Sequence, residues 1–351
     1  MNVLIMTDKL ITGGAENYFC SLENQLTHPD LTIFSAAAPG ELYPKIKNKN
    51  HFIEMKRKSH MYNLLLIKEK IMNHNIDIVH ANSLRMVLYT IVCSFLAKRK
   101  MKLIYTKHNV TALEKKLPGL FCRVINKFVD RVITVSDFEK NNLMELGIKK
   151  EKIRTIYNGV NLKQFKFNRK DGQEIKKVGI LARLSVEKNH ELFIEIADKL
   201  KHHPDLMFYI AGDGPEYANI QNKIAELNLQ TKVKLLGAVN TPEKFIREMD
   251  VLLLTSEREV FPMVILEAMA VGTPIISIDR GGIREAVRDH STGFLISDHS
   301  AEDFSSRLIY LAENKSVQSD VIENARKRVT EDFTLEKMLD HTLDEYLKYA
   351  Q

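Results

Sequence analysis

Short apolar runs, rich in β-branched residues, alternate with longer amphipathic stretches along the whole chain. In the first half, polar residues or glycine bound each of six such runs, which predicts short buried strands. They lie at residues 3–6, 31–36, 77–81, 102–108, 131–136 and 152–160. Helix-length segments separate most of them. This alternation of strand and helix predicts a parallel sheet with helices on both faces.

The second half repeats the alternation more regularly, after a charged segment at 163–177 that predicts an inter-domain linker. Strands are predicted at 178–183, 207–214, 232–237, 251–256, 274–278 and 293–297. Helices are predicted between them at 190–202, 216–229, 242–249, 263–271 and 282–288. Three more helical segments end the chain, from Ala301, near Val317 and from Thr334 to Ala350.

These elements predict an α/β protein of two Rossmann-like, doubly wound domains, at residues 1–165 and 176–330. The last helix, at 334–351, has no strand after it, so we expect it to pack back on the N-terminal domain. Sheets of this kind bind ligands at the carboxyl ends of their strands. The sequence therefore predicts a ligand site in a central cleft that the two domains face.

The length of 351 residues suits two domains, and 44% hydrophobic and 27% charged residues are ordinary for a globular protein. Three widely spaced cysteines (Cys20, Cys93 and Cys122) suit neither a disulfide framework nor a thiolate metal site, so we expect a reducing compartment. The longest apolar run, 86–97, is shorter than the roughly 20 residues of a membrane span, and no signal peptide is evident. We expect a cytoplasmic protein that can still touch the inner face of a membrane.

The net charge of +6 is an average of two unlike halves. Residues 1–170 hold 29 Lys and Arg against 14 Asp and Glu, a net of +15, whereas residues 171–351 have a net of −9. Such asymmetry is evidence about partners. We expect the first half to meet a lipid surface, a nucleic acid or a phosphorylated substrate.

Residues 111–129 place leucine, phenylalanine and valine at helical spacing with four basic residues among them, and further basic clusters lie at 55–60 and 97–102. This pattern predicts an amphipathic helix that binds an anionic membrane surface. The alternative is a core-facing helix with a solvated basic face. A nucleic-acid partner is disfavoured because tryptophan is absent and no aromatic residues interleave the charges on a surface motif.

The most informative chemistry lies in residues 256–274. Glu267 is the one charged residue of a predicted apolar helix, and Glu259 lies in the loop before it. A carboxylate there is costly to bury unless it is paired, so it is either a structural partner of an arginine or backbone group, or a ligand for hydroxyl groups such as those of a ribose. Pro262 can occupy the first turn, where unpaired N–H groups form an anion site.

Three further features stand at predicted strand ends. Arg183 and Lys188 follow a strand and suit a diphosphate, unless they are merely solvated loop charges. Gly13 and Gly14 separate the first strand from the first helix, where they can serve a turn or let backbone N–H groups approach a ligand. His108 ends a strand, where a lone histidine is more often structural than catalytic, but it lies at the sheet edge where the cleft is expected.

The segment EVFPMVILEAMAVGTPII, from Glu259, closely resembles the C-terminal motif of retaining glycosyltransferases of the GT-B fold, family 4. The runs GGIREAV, from Gly281, and TGFLI, from Thr292, resemble the same family. Arg183 and Lys188 match its Arg-x4-Lys site, and Gly13–Gly14 its N-terminal glycine loop. The run LLGAV, ending at Val239, resembles the segment whose backbone contacts the nucleotide base.

The resemblance implies a role for each matching residue. Arg183 and Lys188 would neutralise the donor diphosphate, and Glu267 would hold the ribose. Glu259 and the residues after it would hold the sugar, while His108 would lie near the sugar that is transferred. The full donor-binding set that the resemblance implies is Gly13, Gly14, Arg183, Lys188, Val239, Glu259, Phe261, Pro262, Met263 and Glu267.

The implied activity is retaining transfer of a sugar from a nucleotide-diphosphate donor, with a UDP-sugar favoured over a GDP-sugar, to a hydroxyl acceptor in cell-surface polysaccharide or glycolipid synthesis. No cofactor or metal is expected, since the sequence has neither an Asp-x-Asp triplet nor a His/Cys cluster. Two residues depart from the family pattern, Arg258 and Val260. The alternatives are a catalytically silent nucleotide-sugar-binding protein, which the intact charged set disfavours, and a phosphorylase with lysine-bound pyridoxal phosphate.

Overall fold

The computed structural model describes residues 1–168 and 172–349 and divides the chain into two compact units. The first unit comprises Met1–Asn158 and the chain from Glu336 onward, and the second comprises Gly159–Leu335. Each unit is built on one parallel sheet flanked by helices, which confirms the predicted fold class. Residues 169–171 of the predicted linker and 350–351 of the predicted last helix lie outside the described part of the chain.

The first unit has a seven-stranded sheet in the order β3-β2-β1-β4-β5-β6-β7, and every pairing is parallel. Its strands are β1 (Asn2–Lys9), β2 (Thr32–Ala38), β3 (Phe52–Glu54), β4 (Ile78–Ala81), β5 (Lys102–Lys107), β6 (Arg131–Thr134) and β7 (Ile153–Thr155). The strand order reverses between β1 and β4, the point where doubly wound sheets bind ligands. Strand β3 is an edge strand that the hydrophobic pattern did not predict, and β7 is shorter than its predicted run.

Six helices of the first unit connect these strands: α1 (Gly14–Gln25), α2 (His60–Asn73), α3 (Leu84–Ala97), α4 (Ala112–Lys116), α5 (Pro118–Phe128) and α6 (Asp137–Leu146). The prediction of a single helix at 111–129 is wrong, because one helix ends before Leu117 and a second begins at Pro118. Proline has no N–H to continue a helix but suits the first helical position. A capping box between Thr111 and Glu114 starts α4.

Helix α14 (Leu335–Leu347) packs on the sheet of the first unit. The fully buried Glu345 forms ion pairs with Arg131 and Arg154. The fully buried Tyr346 hydrogen-bonds through its hydroxyl to Nδ1 of His80 in β4, at 2.5 Å. The end of the chain is therefore part of the first unit's core.

The second unit has a six-stranded parallel sheet in the order β10-β9-β8-β11-β12-β13. Its strands are β8 (Lys177–Leu181), β9 (Met207–Ala211), β10 (Val233–Gly237), β11 (Val251–Leu254), β12 (Ile275–Ile278) and β13 (Phe294–Ile296). The helices are α7 (His190–Lys199), α8 (Tyr217–Glu226), α9 (Pro242–Glu248), α10 (Met263–Val271), α11 (Ile283–Ala286), α12 (Ala301–Glu313) and α13 (Lys315–Asp332). All predicted elements of this half are present, and the order reverses between β8 and β11.

Residues 159–168 pack within the second unit, although we assigned 159–165 to the N-terminal domain. The N–H of Val160 donates to the carbonyl of Phe333, and the N–H of Asn168 donates to that of Val271, at 2.9 and 2.8 Å. Phe165 is buried. These contacts explain why the boundary between the units lies at Asn158–Gly159.

Candidate active site

Two predicted site residues meet at the carboxyl edge of the second sheet, where the strand order reverses. Lys188 follows β8 and Glu259 follows β11, and these two strands are neighbours. The Nζ atom of Lys188 donates to Oε1 of Glu259 at 2.6 Å. The lysine side chain is 24% exposed and the glutamate side chain 10%, so solvent reaches the pair mainly from the lysine side.

The loop that carries Lys188 is fixed by its neighbours. Asn189 has a left-handed backbone, with φ of 47°, and its side chain caps α7 by accepting from the N–H of Leu192. The hydroxyl of Thr255, at the end of β11, donates to the carbonyl groups of Lys188 and Asn189 at 3.1 and 2.8 Å. These bonds join the loop after β8 to the loop after β11 and hold the pair in position.

The backbone of Glu259 is held by the loop after β12. Gly281 has φ of +62°, and a Cβ atom built there would lie 1.7 Å from the carbonyl oxygen of Glu259. The N–H of Gly282 donates to the carbonyl of Val260 at 3.1 Å. Only glycine fits this close approach, which gives a physical reason for the run GGIREAV.

Helix α10 starts directly after this loop. Pro262 has extended backbone angles and immediately precedes the helix, so it lies one residue before the first turn to which we assigned it. Phe261 is buried and its ring packs against that of Phe333, 5.5 Å between centroids. Met263 is the first helical residue, and Glu267 lies half-buried in the middle of α10. The N–H groups of the first turn stand where the loop of Glu259 ends.

The remaining predicted residues of the second unit occupy other loops of the same edge. Arg183 is exposed in the loop after β8. Val239 is half-buried in the loop after β10, and Gly237 before it has φ of +71°. The structure thus brings Lys188 and Glu259 into contact and places Arg183 and Val239 in loops at that edge. Their individual roles stay predictions.

In the first unit, Gly13 and Gly14 lie between β1 and α1 as predicted. Gly13 is the residue before the helix and has an extended backbone, and Gly14 is the first helical residue. A Cβ atom on Gly13 would lie 2.5 Å from Oε2 of Glu16, whose carboxylate folds back over the glycine. Gly13 therefore makes room for this side chain at the start of α1.

His108 directly follows β5, and two residues of neighbouring elements contact it. Its Nε2 atom lies 3.3 Å from Oδ1 of Asn82, which directly follows β4. The ring of Tyr18 in α1 packs edge-on at 4.8 Å between centroids. Burial lowers the pKa of His108 to about 3, so the imidazole is neutral near pH 7.

Asn82 was missed by the sequence analysis. The signal that could have found it is its position at the end of a buried strand, next to the point where the strand order reverses. Lys107 was also missed: it is fully buried and forms ion pairs with the buried Glu114, at 3.2 Å, and Glu139. This cluster anchors the end of β5, one residue before His108, to α4 and α6.

Two family models match consecutive parts of the chain. The model described as glycosyltransferase family 4 matches residues 12–164, and the model described as glycosyl transferases group 1 matches residues 162–328. Together they cover residues 12–328, which include every residue assigned to the candidate site.

Curated relatives are just over a quarter identical to this chain over the aligned residues. An N-acetyl-alpha-D-glucosaminyl L-malate synthase of Bacillus anthracis is 28% identical over 285 residues, which is 76% of this chain and 73% of that protein. A UDP-Gal:alpha-D-GlcNAc-diphosphoundecaprenol alpha-1,3-galactosyltransferase of Escherichia coli is 28% identical over 311 residues, which is 82% of this chain and 79% of that protein.

Solved structures share the fold over the whole chain. A glycosyltransferase from Rickettsia africae superposes with a TM-score of 0.85 at 24% identity, covering 100% of this chain and 98% of that one. Anabaena Alr3699/HepE, solved in complex with UDP and glucose, also gives 0.85, at 20% identity over 99% and 100% of the two chains. The chain therefore belongs to the group 1 glycosyltransferases and has the two-sheet GT-B fold of the family 4 enzymes.

Proposed function

We propose that this glycosyltransferase moves a sugar from a nucleotide-diphosphate donor, preferably a UDP-sugar, to a hydroxyl acceptor with retention of anomeric configuration. The observation that supports this proposal most directly is the contact between Lys188 and Glu259, at the point where the strand order of the second sheet reverses. A cation and a carboxylate side by side suit a ligand that has both phosphate and sugar hydroxyl groups. The complex of a structural neighbour with UDP and glucose supports the choice of donor.

The leaving diphosphate gains charge as the bond to the sugar breaks. Arg183 and Lys188 offset that charge, and the free N–H groups at the start of α10 add to the anion site. Among residues 1–168 and 172–349, no group of three or more His, Cys, Asp or Glu side chains could hold a metal ion. We assign the diphosphate to these cations and helix N–H groups, and the sequence-based expectation that no cofactor takes part stays a prediction.

The other residues take the sugar and nucleoside parts of the donor. Glu259, with the backbone of Phe261, Pro262 and Met263, holds the sugar, and Glu267 accepts hydrogen bonds from the ribose. Val239 contacts the base through its backbone. In the first unit, Gly13, Gly14 and His108 act near the sugar that is transferred.

Retention requires the acceptor oxygen to bond to the anomeric carbon on the face from which the diphosphate leaves. The acceptor hydroxyl loses its proton to the departing phosphate oxygen, so the products are the glycoside and the nucleoside diphosphate. This step needs no base on the protein. It is consistent with a site in which Glu259 is already paired with a lysine.

Donor binding and product configuration test the proposal. Melting temperatures should rise with UDP-sugars more than with GDP- or ADP-sugars, and NMR of the product should show the anomeric configuration of the donor. Glu267→Gln should abolish stabilisation by the donor while the unliganded melting temperature stays close to wild type. Inverted product overturns the mechanism, and full donor affinity in Glu267→Gln overturns the site assignment.

We further propose that the acceptor is lipid-linked and that the first unit meets an anionic membrane at the cytoplasmic face. Large apolar side chains are exposed on the outer faces of three neighbouring helical segments, which we term the apolar strip. Contacts between Cys93 and Leu64 and between the rings of Phe95 and Phe128 join these segments. The strip comprises Met61, Leu65 and Met72 of α2, Leu88, Val92, Phe95 and Leu96 of α3, and Leu117 and Leu120 beside and within α5.

Basic residues border the apolar strip. Between residues 56 and 128 the chain has fifteen Lys and Arg against three Asp and Glu, and one of each, Lys107 and Glu114, is buried in a shared cluster. An apolar surface with a cationic border suits an anionic leaflet, at about 1 kcal/mol per nearby cation. No helix in the described ranges is long and apolar enough to span a bilayer. Most of this surface lies on α2 and α3, and not on the single helix that the sequence predicted at 111–129.

Flotation with vesicles of anionic lipid tests the membrane contact. Wild type should float at low salt and lose binding as salt rises. Phe95→Ser, at a side chain that is 67% exposed, should weaken flotation without loss of folding. Tyr217→Ser, at an exposed aromatic residue of the second unit, is the matched control and should float normally. No flotation of wild type at low salt rules the contact out.

A further inference from the structure

Asn82 and His108 stand at the carboxyl ends of two strands that pair in the first sheet. Asn82 directly follows β4, His108 directly follows β5, and Ala81 lies opposite Tyr105. Asn82 is buried, and both its backbone N–H and its side-chain Nδ2 donate to the carbonyl of Met6 in β1, at 2.8 and 3.3 Å. This fixes the orientation of the carboxamide, with its Oδ1 atom directed at Nε2 of His108, 3.3 Å away.

An amide oxygen accepts hydrogen bonds and cannot donate them, so Nε2 of His108 must carry a proton in this contact. A neutral imidazole has one ring proton, which leaves the lone pair on Nδ1. We propose that Asn82 is a positioning residue that holds His108 as the Nε2-protonated tautomer, so that Nδ1 accepts a hydrogen bond from a substrate hydroxyl group. The substrate part of this inference rests on the proposed glycosyl transfer.

The groups around His108 keep it uncharged. Tyr18 packs on its ring from α1, and burial raises the pKa of that phenol. His80 in β4 is neutral as well, because burial and then the proximity of His108 lower its pKa to about 3. The charged residues on the elements around His108 also have partners: Lys107 pairs with Glu114 and Glu139, and Asp8 of β1 pairs with Arg85 of α3. Glu16 of α1 folds back over Gly13. Nothing in this set favours an imidazolium.

The test compares the full-length wild type with Asn82→Asp and with a matched control, Asn63→Asp. Asn63 of α2 is also a buried asparagine that bridges backbone groups, since its side chain accepts from the N–H of Lys56 and donates to its carbonyl, at 2.9 and 2.7 Å. The Asn63→Asp substitution makes the same chemical change in the same unit, at a residue that does not contact His108. Nitrogen-15 NMR of histidine-labelled protein reports which ring nitrogen is protonated, and His108→Gln assigns the signals.

Wild type should show a protonated Nε2 and an unprotonated Nδ1 on His108 near pH 7. Asn82→Asp places a carboxylate beside Nε2, which favours the imidazolium and should raise the pKa of His108 by about one to three pH units. Asn63→Asp should leave the His108 signals unchanged even if it lowers stability. A protonated Nδ1 in wild type, or an unchanged pKa in Asn82→Asp, overturns the positioning role.

Kinetics separate this inference from the proposed function. In Asn82→Asp the transfer rate should rise with pH through the raised His108 pKa, because an imidazolium cannot accept a hydrogen bond, and wild type should lack that step. A larger KM for the donor sugar or for the acceptor identifies which one supplies the hydroxyl. A shifted NMR pKa without a pH step in the rate overturns the substrate role. Absence of transfer in wild type refutes the proposed function instead, and the NMR result still decides the tautomer.

Discussion

The ammonium group of Lys188 and the carboxylate of Glu259 form an ion pair at 2.6 Å across 71 residues of sequence. The pair stands where the strand order of the second sheet reverses, and its loops are tied together by Thr255. In the unliganded chain, Glu259 therefore satisfies the lysine that we assign to the donor diphosphate. When the donor binds, its diphosphate becomes a second anion beside Lys188. Turnover should therefore depend on the positive charge of this lysine.

Lys188→Gln tests that charge while keeping a hydrogen-bond donor for Glu259. We expect kcat/KM to fall by about a hundredfold or more, the usual effect of losing one group that stabilises transition-state charge. The melting temperature should change little because the side chain stays partly exposed. Lys199→Gln, in an exposed pair with Glu302 on α12, is the control and should keep wild-type turnover. Equal kinetics for the two variants would falsify the role of Lys188.

Gly281→Ala should disturb the site from outside it. The new methyl group would lie 1.7 Å from the carbonyl oxygen of Glu259 on a backbone with positive φ, so both the loop after β12 and the loop of Glu259 must move. We expect a lower melting temperature and a loss of donor affinity together. Calorimetry and nucleotide titration measure the two effects.

Gly119→Ala is the matched control for that variant. A Cβ atom at Gly119, the second residue of α5, meets no atom within 4 Å. Alanine there should be neutral or raise stability by up to about 1 kcal/mol, because it favours the helix. If Gly281→Ala proves equally harmless, the glycine does not hold Glu259 in place.

The second unit was predictable because most of its strands are nearly continuous apolar runs between polar loops, the usual form of a parallel sheet covered on both faces. Strand β3 was not predictable, since Phe52–Glu54 is three residues long and only its middle residue is buried. The helix at 111–129 failed for another reason. Its apolar residues keep a helical spacing through Leu117 and Pro118. Proline has no N–H for the helical hydrogen bond, so the first helix ends before it.

The contact between Lys188 and Glu259 could not be predicted from the sequence. Spacing and resemblance named Lys188 and Glu259 separately, because nothing local links residues that far apart. Asn82 and Lys107 carry no local pattern either. A lysine at the end of an apolar strand becomes informative only when tertiary structure surrounds it with Glu114 and Glu139.

Lys107→Met should destabilise the first unit strongly. The substitution leaves two buried carboxylates without their cation, and breaking a buried ion pair from one side costs about 3–5 kcal/mol. Lys102→Met, on the same strand, removes an exposed pair with Asp130 and should cost about 1 kcal/mol or less. Urea unfolding compares the two variants. Similar midpoints would show that the cluster is not a structural anchor.

Acid should destabilise the protein because three histidines are held neutral. Burial lowers the pKa of His80 and His108 to about 3, and burial with the nearby Lys188 lowers that of His190 to about 4. In the unfolded chain these groups titrate near about 6.5, so below that pH the unfolded state binds more protons. Their stabilising contribution is complete above about pH 6.5 and is lost as the pH falls toward the folded pKa values, at about 1.4 kcal/mol per pH unit for each histidine.

His190→Leu isolates one of these contributions. The side chain is buried at the start of α7, and within the described residues neither ring nitrogen has a hydrogen-bond partner, so leucine should fit without leaving a polar group unsatisfied. The free energy of unfolding, measured in urea at about pH 5 and about pH 7, should depend less on pH in this variant than in wild type. His202→Leu changes an exposed histidine of the same unit and should keep the wild-type dependence. An unchanged pH dependence in His190→Leu would mean that His190 is already protonated in the folded state at the lower pH.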